Sequence, residues 1–330
     1  MSVKIGDSLL KYGLMLAPMA GFSDRAMRCL ASRYGAEWCV TEMVSAKATV
    51  FGDKKTRLLS RIREDEGRVA LQIFGSEPDV MARAAEILAT TAEDGCVLPS
   101  AIDINMGCPV NKIFSNGEGS ALMRSPELIY DIVRAVRGAI DIPTTVKIRA
   151  GIDRSHLNAV ECALAAESAG AALICVHGRT RSEMYSGSVD REIIKNVKKS
   201  VKIPVIANGD ITSGEDALLM LRETGADGIA VGRGAVGNPF IFEEIIAALR
   251  GEEYTPRGIG ERAECALLQL RTASLDKGER VAVPEARKQI ALYLKGFRGA
   301  ATLRAEINRA ETYSEVEKII RDAIERGEMT

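Results

Sequence analysis

The stretch Ala101-Ile102-Asp103-Ile104-Asn105-Met106-Gly107-Cys108-Pro109 sets the terms on which this chain is read. A strand-like apolar alternation ends abruptly in an amide, a glycine and a thiol pinned by proline. Glycine lets a backbone approach a ligand closely, and a following proline biases Cys108 away from helical geometry. The thiol is therefore expected to project from a turn at a strand end, as a candidate acid or nucleophile. A lone free cysteine is more often a small buried hydrophobe, so the surrounding chain has to decide between the two.

Working outward, seven further apolar runs share the form of this one. They are Leu14-Met15-Leu16-Ala17, Trp38-Cys39-Val40-Thr41, Val69-Ala70-Leu71-Gln72-Ile73, Thr145-Val146-Lys147-Ile148, Leu173-Ile174-Cys175-Val176-His177, Pro204-Val205-Ile206-Ala207-Asn208 and Gly228-Ile229-Ala230-Val231-Gly232. Segments between them, such as Pro78 to Thr91 and Ser213 to Thr224, carry apolar residues at helical spacing. Eight strand-and-helix units with right-handed crossovers predict a closed (β/α)8 TIM barrel of the α/β class. An open doubly wound sheet would need a glycine-rich dinucleotide turn after an early strand, and none follows Ala17. Polar or special residues also gather at the strand ends: Pro18-Met19-Ala20, Glu42, Gln72, Asn105, Lys147 with Arg149, His177, Asn208 and Gly232-Arg233. That rim is where barrels carry their active sites.

Beyond Phe240 the alternation stops, and from Ile259 only helical patterns remain. Residues 1–250 are expected to form the barrel and 251–330 a C-terminal all-helical domain. Gly251, Pro256, Gly258 and Gly260 mark the link, and helices are expected over Glu261 to Lys277, Pro284 to Phe297 and Tyr313 to Arg326. The apolar content suits a soluble globular protein, and no window is an apolar span of membrane length. Met1 to Asp7 lacks the basic start and apolar core of a signal peptide, which predicts a cytoplasmic address. The seven cysteines include no C-x-x-C pair, so neither a disulfide framework nor a structural metal is expected. The sequence assigns no oligomeric state.

Net charge is −1, but it is unevenly spread: residues 257–310 hold eleven Lys or Arg against six Asp or Glu. Arg287-Lys288 and Lys295-Gly296-Phe297-Arg298, followed by Arg304 and Arg309, could track a phosphate backbone, although a solvated helix face reads the same way. At the rim, Lys147 is costly inside a core strand unless it is paired. Gln72 and His177 add neutral donors and acceptors suited to a planar heterocycle. The turns Asn208-Gly209-Asp210 and Gly232-Arg233-Gly234 follow strands seven and eight, where barrels hold phosphate, and Arg233 offers a fork for it. Together these features fit FMN, a cofactor that carries its own redox chemistry.

In these motifs the chain resembles the tRNA-dihydrouridine synthases, and within them the bacterial B-type branch. The resemblance rests on Ala17-Pro18-Met19-Ala20-Gly21 with Ser23-Asp24-Arg25, Thr41-Glu42-Met43, Leu71-Gln72-Ile73, the run at Cys108, Gly119-Ser120-Ala121-Leu122, Val146-Lys147-Ile148-Arg149, Val176-His177-Gly178-Arg179-Thr180-Arg181, Ile206-Ala207-Asn208-Gly209-Asp210 and Gly232-Arg233. It covers nearly the whole chain. It implies an FMN oxidoreductase, driven by NADPH or NADH, that saturates the C5–C6 bond of a uridine in tRNA. Hydride would reach C6, and Cys108 would protonate C5 as a general acid. The resemblance places flavin contacts at Pro18, Met19, Ala20, Gln72, Lys147, His177, Asn208, Gly209, Asp210, Gly232 and Arg233. Asn105, Lys147 and Arg149 would hold the uracil edge. Arg287, Lys288, Lys295, Arg298 and Arg304 would carry the tRNA backbone on the helical domain. Relatives often show histidine after the basic pair, whereas this chain has Gln289, with Tyr293 left as the candidate stacking aromatic. Two other classes stay open: an FMN-dependent reductase of a free pyrimidine of the dihydroorotate or dihydrouracil type, and a flavin-free phosphate- or RNA-binding barrel.

Overall fold

The computed structural model describes residues 2–296 and 299–326. Eight parallel strands close on themselves: β1 (Leu14–Leu16), β2 (Trp38–Val40), β3 (Val69–Phe74), β4 (Ala101–Met106), β5 (Thr144–Arg149), β6 (Leu173–His177), β7 (Val205–Asn208) and β8 (Gly228–Val231). Neighbours in sequence are neighbours in space, and β8 pairs with β1 to complete the ring. The crossovers carry helices α1 (Arg25–Arg33), α2 (Ala46–Val50), α3 (Lys54–Leu59), α4 (Pro78–Thr90), α5 (Asn111–Ser115), α6 (Pro126–Ala139), α7 (Ala159–Ser168), α8 (Arg191–Ser200) and α9 (Gly214–Thr224), with α10 (Ile241–Arg250) after β8. All eight expected strands are present.

Strand periodicity then sorts the side chains. One set, including Leu14, Leu71, Ile102, Ile104, Val146, Ile148, Ile174 and Val176, packs outward against the helices. The alternate set, including Met15, Trp38, Ala70, Ala101, Leu173, Cys175, Ile206 and Ala230, fills the barrel interior together with Val3, Ile5 and Leu10. Those last three belong to an antiparallel hairpin of Val3–Ile5 and Ser8–Leu10. Moving up the same inward positions, the side chains turn polar: Gln72, Asp103, Asn105, Thr145, Lys147, Arg149, His177 and Asn208. The lower barrel is thus an apolar plug and the upper barrel a polar chamber.

Four further helices follow: α11 (Ile259–Lys277), α12 (Glu279–Tyr293), α13 (Ala300–Ile307) and α14 (Tyr313–Glu325). They share an apolar core that also takes in Ala26 and Leu30 of α1 and Phe240. Among the described residues no helix is long and apolar enough to cross a membrane.

Two expectations are corrected here. The helix read as beginning at Pro284 begins at Glu279 and carries Pro284 inside it. A proline suits a helix start because it lacks the N–H that a first turn leaves unused. Here the residue is exposed, so water can satisfy the carbonyl its missing N–H leaves free. Tyr293, read as a stacking aromatic, is fully buried and donates its hydroxyl to Gln269 Oε1 at 2.7 Å. Its ring faces the bundle core and has no surface on which a base could stack. Phe297, the expected end of that helix, lies outside the described residues.

One buried cation ties α1 to the rim. Arg28, 2% exposed, donates through Nη1 to the carbonyl of Ser23 at 2.7 Å and through Nε to Glu66 at 2.6 Å. Ser23 in turn accepts from the Met19 amide at 2.8 Å, so the turn that follows β1 hangs on this guanidinium. Removing one partner of a buried pair strands the other charge, at about 3–5 kcal/mol. Arg28→Met is expected to lose about that much stability in urea denaturation, while Arg28→Met combined with Glu66→Gln recovers most of it. Equal losses in both variants would mean that the ion pair is not what fixes the turn.

Candidate active site

Register brings the polar inward residues together. Gln72 lies opposite Asp103, Asp103 opposite Thr145, Asn105 opposite Lys147, and His177 opposite both Arg149 and Asn208. From these pairings a continuous hydrogen-bond chain follows. Thr145 Oγ1 donates to Asp103 Oδ1 at 2.6 Å and Gln72 Nε2 to Asp103 Oδ2 at 2.7 Å. Asn105 Nδ2 donates to Gln72 Oε1 at 2.8 Å, and Asn105 Oδ1 accepts from the amides of Cys108 (2.9 Å) and Gly107 (3.2 Å). Asp103 accepts from Thr145 and Gln72, so it sets which end of Gln72 faces it, and through Gln72 which end of Asn105 faces the cysteine turn. Burial pushes the Asp103 carboxyl up, against the hydrogen bonds from Thr145 and Gln72 and the charge of Lys147.

The turn is gripped from three more sides. Ser120 donates its amide (3.1 Å) and its hydroxyl (2.7 Å) to the carbonyl of Cys108. Gly119, at φ +60°, lies so close that a Cβ there would sit 3.0 Å from Cys108 Cβ; only glycine accepts both the conformation and the contact. Arg149, 3% exposed, donates to the carbonyls of Gly107 (2.7 Å), Thr180 (2.9 Å) and Met184 (2.9 Å). Cys108 is half-buried. Burial raises its thiol above the ordinary 9.0, while the Val110 amide and the charge of Arg149 pull the other way. The result is a neutral thiol, able to give a proton rather than to attack.

Across the chamber Lys147 Nζ donates to Asn208 Oδ1 at 3.0 Å, and Asn208 Nδ2 donates to the Ala230 carbonyl at 2.8 Å. Burial lowers the Lys147 ammonium. His177 is pulled down to about 2, by burial first and then by Lys147, Arg149, Arg179 and Arg233. Four cations thus surround one neutral imidazole. Asp210 is a counter-charge to two of them, held by Arg179 Nη1 at 2.8 Å and Nη2 at 2.7 Å, with Arg233 at 3.7 Å, and accepting from the Val189 amide at 2.9 Å. Burial would raise that carboxyl, but Arg179, Val189 and Arg233 outweigh it and hold it low. Arg233 is exposed, 3.7 Å from Asp210 and 4.8 Å from the Tyr185 ring centroid.

Several expected residues take different parts. The Asp210 carboxylate is spent on Arg179, so only its backbone is free to face a phosphate. Gln72 and Asn105 are largely committed to the chain above, each keeping one N–H in reserve, and Arg149 works as a staple on three carbonyls. Pro18 and Met19 are half-buried and Ala20 exposed on the turn after β1. In the helical bundle Lys288, Lys295 and Arg304 are exposed, whereas Arg287 is half-buried and donates to the Ala310 carbonyl at 2.8 Å. Arg298 lies outside the described residues. Asp103, Arg179 and Tyr185 were missed as site residues. Register held a signal for one of them: Arg179 and Asp210 each lie two residues past a paired strand end, His177 and Asn208.

The barrel, its polar chamber and the half-buried thiol at its rim have the form of an enzyme's active site. Residues 15–327 match the family model described as dihydrouridine synthase (Dus). The chain is 42% identical over 314 residues to the tRNA-dihydrouridine synthase B of Shewanella oneidensis, covering 95% of each. It is 42% identical to its counterpart in Pseudomonas aeruginosa, covering 94% of this chain and 92% of the relative. Against a probable tRNA-dihydrouridine synthase of Treponema pallidum it is 38% identical, covering 97% and 96%. Among solved structures, a variant of NCR from Zymomonas mobilis aligns with TM-score 0.54 at 17% identity, covering 79% of this chain and 94% of that one. Histamine dehydrogenase from Rhizobium sp. aligns with TM-score 0.55 at 15% identity, covering 82% and 50%. These two likenesses speak for the barrel alone.

The chain belongs to the dihydrouridine synthase family, on its B-type branch, and is an FMN oxidoreductase of that family that uses NAD(P)H. Its residues fit FMN. Lys147, Arg149, Arg179 and Arg233 outnumber the carboxylates of Asp103 and Asp210, both already hydrogen-bonded, and leave a net positive field suited to a phosphate. At Gly232 an added Cβ would meet Met19 Sδ at 3.7 Å and Ala17 Cβ at 3.9 Å, ordinary contact distances, so the turn has room there for about one methyl group.

The low value of His177 has a consequence for stability. An imidazole neutral in the fold and basic when unfolded stabilises fully above its unfolded value of 6.5, and that contribution is lost as pH falls from there toward 2. Urea midpoints are therefore expected to fall on acidification from pH 7 to 5, and Gln in place of His177 to flatten that slope. An unchanged slope would show that His177 is not buried in its neutral form.

Proposed function

We propose that this chain is a cytoplasmic tRNA-dihydrouridine synthase in which Cys108 is the proton donor to C5 of a uridine extruded into the barrel mouth. The observation that carries the reading is the chain Thr145–Asp103–Gln72–Asn105, which ends on the amide of a half-buried, neutral thiol. When bound and reduced by NADPH or NADH, FMN supplies the hydride that saturates C6. Gly209, Asp210, Gly232 and Arg233 would hold its phosphate, through backbone amides and the Arg233 fork. Pro18, Met19, Ala20, Gln72, Lys147, His177 and Asn208 would line its ring and ribityl chain.

The chain's own residues do the rest. Cys108 gives its proton to C5, completing the addition of two hydrogens across C5=C6, and the thiolate is reprotonated from solvent. Asn105 and Lys147 each keep N–H groups for the uracil carbonyls, and Arg149 keeps Gly107 and hence Cys108 in place. A uridine stacked in folded RNA cannot reach a barrel mouth, so it has to be flipped out. Residues 251–330 would form the domain that grips the RNA meanwhile, with Lys288, Lys295, Arg298 and Arg304 on phosphates and Arg287 as a structural tie.

The test uses purified enzyme, FMN, NADPH and unmodified tRNA. Cys108→Ala is expected to keep bound flavin and NADPH oxidation but to lose dihydrouridine formation by about 10²-fold or more. Wild-type turnover on tRNA is expected to hold to pH 9 and to fall as the thiol deprotonates above it. Full synthase turnover by the Ala variant would remove the acid role. Reduction of free uracil with none of tRNA would favour a free-pyrimidine reductase instead.

A further inference from the structure

We propose that Phe51 and the cations around it form a nucleobase-stacking platform for the RNA strand that flanks the target uridine. This rests on the reading of the substrate as tRNA.

Phe51 follows α2 on the catalytic rim and is 78% exposed, with Val50 and Leu58 exposed beside it. The core does not need this ring: the residue that α2 buries is Ala46. The Phe51 amide bonds to the Lys47 carbonyl at 3.1 Å, so the two side chains lie one turn apart on the same face. That face borders the cysteine turn. Burial raises the Glu118 carboxyl and the charge of Lys47 opposes it, and the residue after Glu118 is Gly119, packed on Cys108.

Charge identifies the occupant. Residues 47–57 hold Lys47, Lys54, Lys55 and Arg57 against the single acid Asp53. Asp53 is occupied in capping α3, accepting from Thr56 N at 2.8 Å and Thr56 Oγ1 at 3.0 Å. None of the four cations forms an ion pair among the described residues, and all four are exposed. In the C-terminal domain Arg257, Lys277 and Arg321 are paired with carboxylates, while Lys288, Lys295 and Arg304 are exposed like these four. Exposed cations within six residues of an exposed ring, none in an ion pair among the described residues, offer the pairing of backbone attraction and base stacking by which proteins hold unpaired RNA. A protein partner or a second copy would meet the same repulsive field of lysines.

The experiment compares full-length, FMN-loaded wild type with Phe51→Ala, Phe51→Leu and Phe51→Trp on tRNA from cells lacking the gene. Ala and Leu are expected to raise KM for tRNA about tenfold, with kcat at saturating tRNA and NADPH oxidation unchanged. Trp is expected to keep the wild-type KM. Its fluorescence should be quenched on adding tRNA, a signal readable because the chain's own single tryptophan, Trp38, is buried in the barrel. Lys54→Glu with Lys55→Glu should flatten the salt dependence of tRNA binding. A wild-type KM in Phe51→Ala or Phe51→Leu overturns the platform. So does a change in the free protein's sedimentation with no change in KM, which would give the face to a second copy. A wild type that reduces no tRNA sinks the tRNA reading itself, and the platform with it.

Discussion

Asp103 holds a carboxyl just above the apolar plug of the barrel, 3% exposed, and it has to be satisfied there because an unpaired buried polar group is costly. Thr145 and Gln72 satisfy it from the two flanking strands. Everything above then follows in order. Gln72 has one end fixed, so its carbonyl can only accept from Asn105, and Asn105 can only present its oxygen to the amides of Gly107 and Cys108. The position of the thiol is set by a charge two strand positions below Asn105. A turn that carries a reactive group gains rigidity from such a chain, since no member can rotate without leaving a buried polar atom unpaired.

The neighbouring wall works by a different means. Lys147, Arg149, Arg179 and Arg233 converge on His177, and the fold keeps that imidazole neutral rather than adding a fifth charge. Two of the arginines are held by protein acceptors: Arg149 by carbonyls and Arg179 by Asp210. Lys147 donates to Asn208, and Arg233 stays exposed 3.7 Å from Asp210. The cysteine turn and the cationic cluster therefore start from adjacent strands and meet at Arg149, which donates to the Gly107 carbonyl, and each is maintained by buried hydrogen bonds from neighbouring strands.

The barrel was legible because periodicity reports which face of a strand is buried, and eight such segments with helical spacers admit few topologies. The cysteine turn was legible from Gly107, Cys108 and Pro109, whose backbone preferences are local. Less was legible where a role depends on a partner far along the chain. Nothing local announces that the Asp210 carboxylate is held by Arg179. The bond from Gln72 to Asp103 is likewise a matter of register. Pro284 misplaced a helix start since the same residue is tolerated inside an exposed turn. Tyr293 was assigned to stacking because sequence does not say which way a helix face turns, and this one turns inward. Phe51 went unnoticed for the complementary reason: one aromatic among lysines has no period, and only its exposure singles it out.

The central claim is that this barrel reduces uridines within tRNA. The most direct measurement is dihydrouridine mapped position by position in tRNA from cells with and without the gene. The account predicts loss at defined positions, restored when the gene is returned. Unaltered dihydrouridine at every position, in cells with no other dihydrouridine synthase, would contradict it.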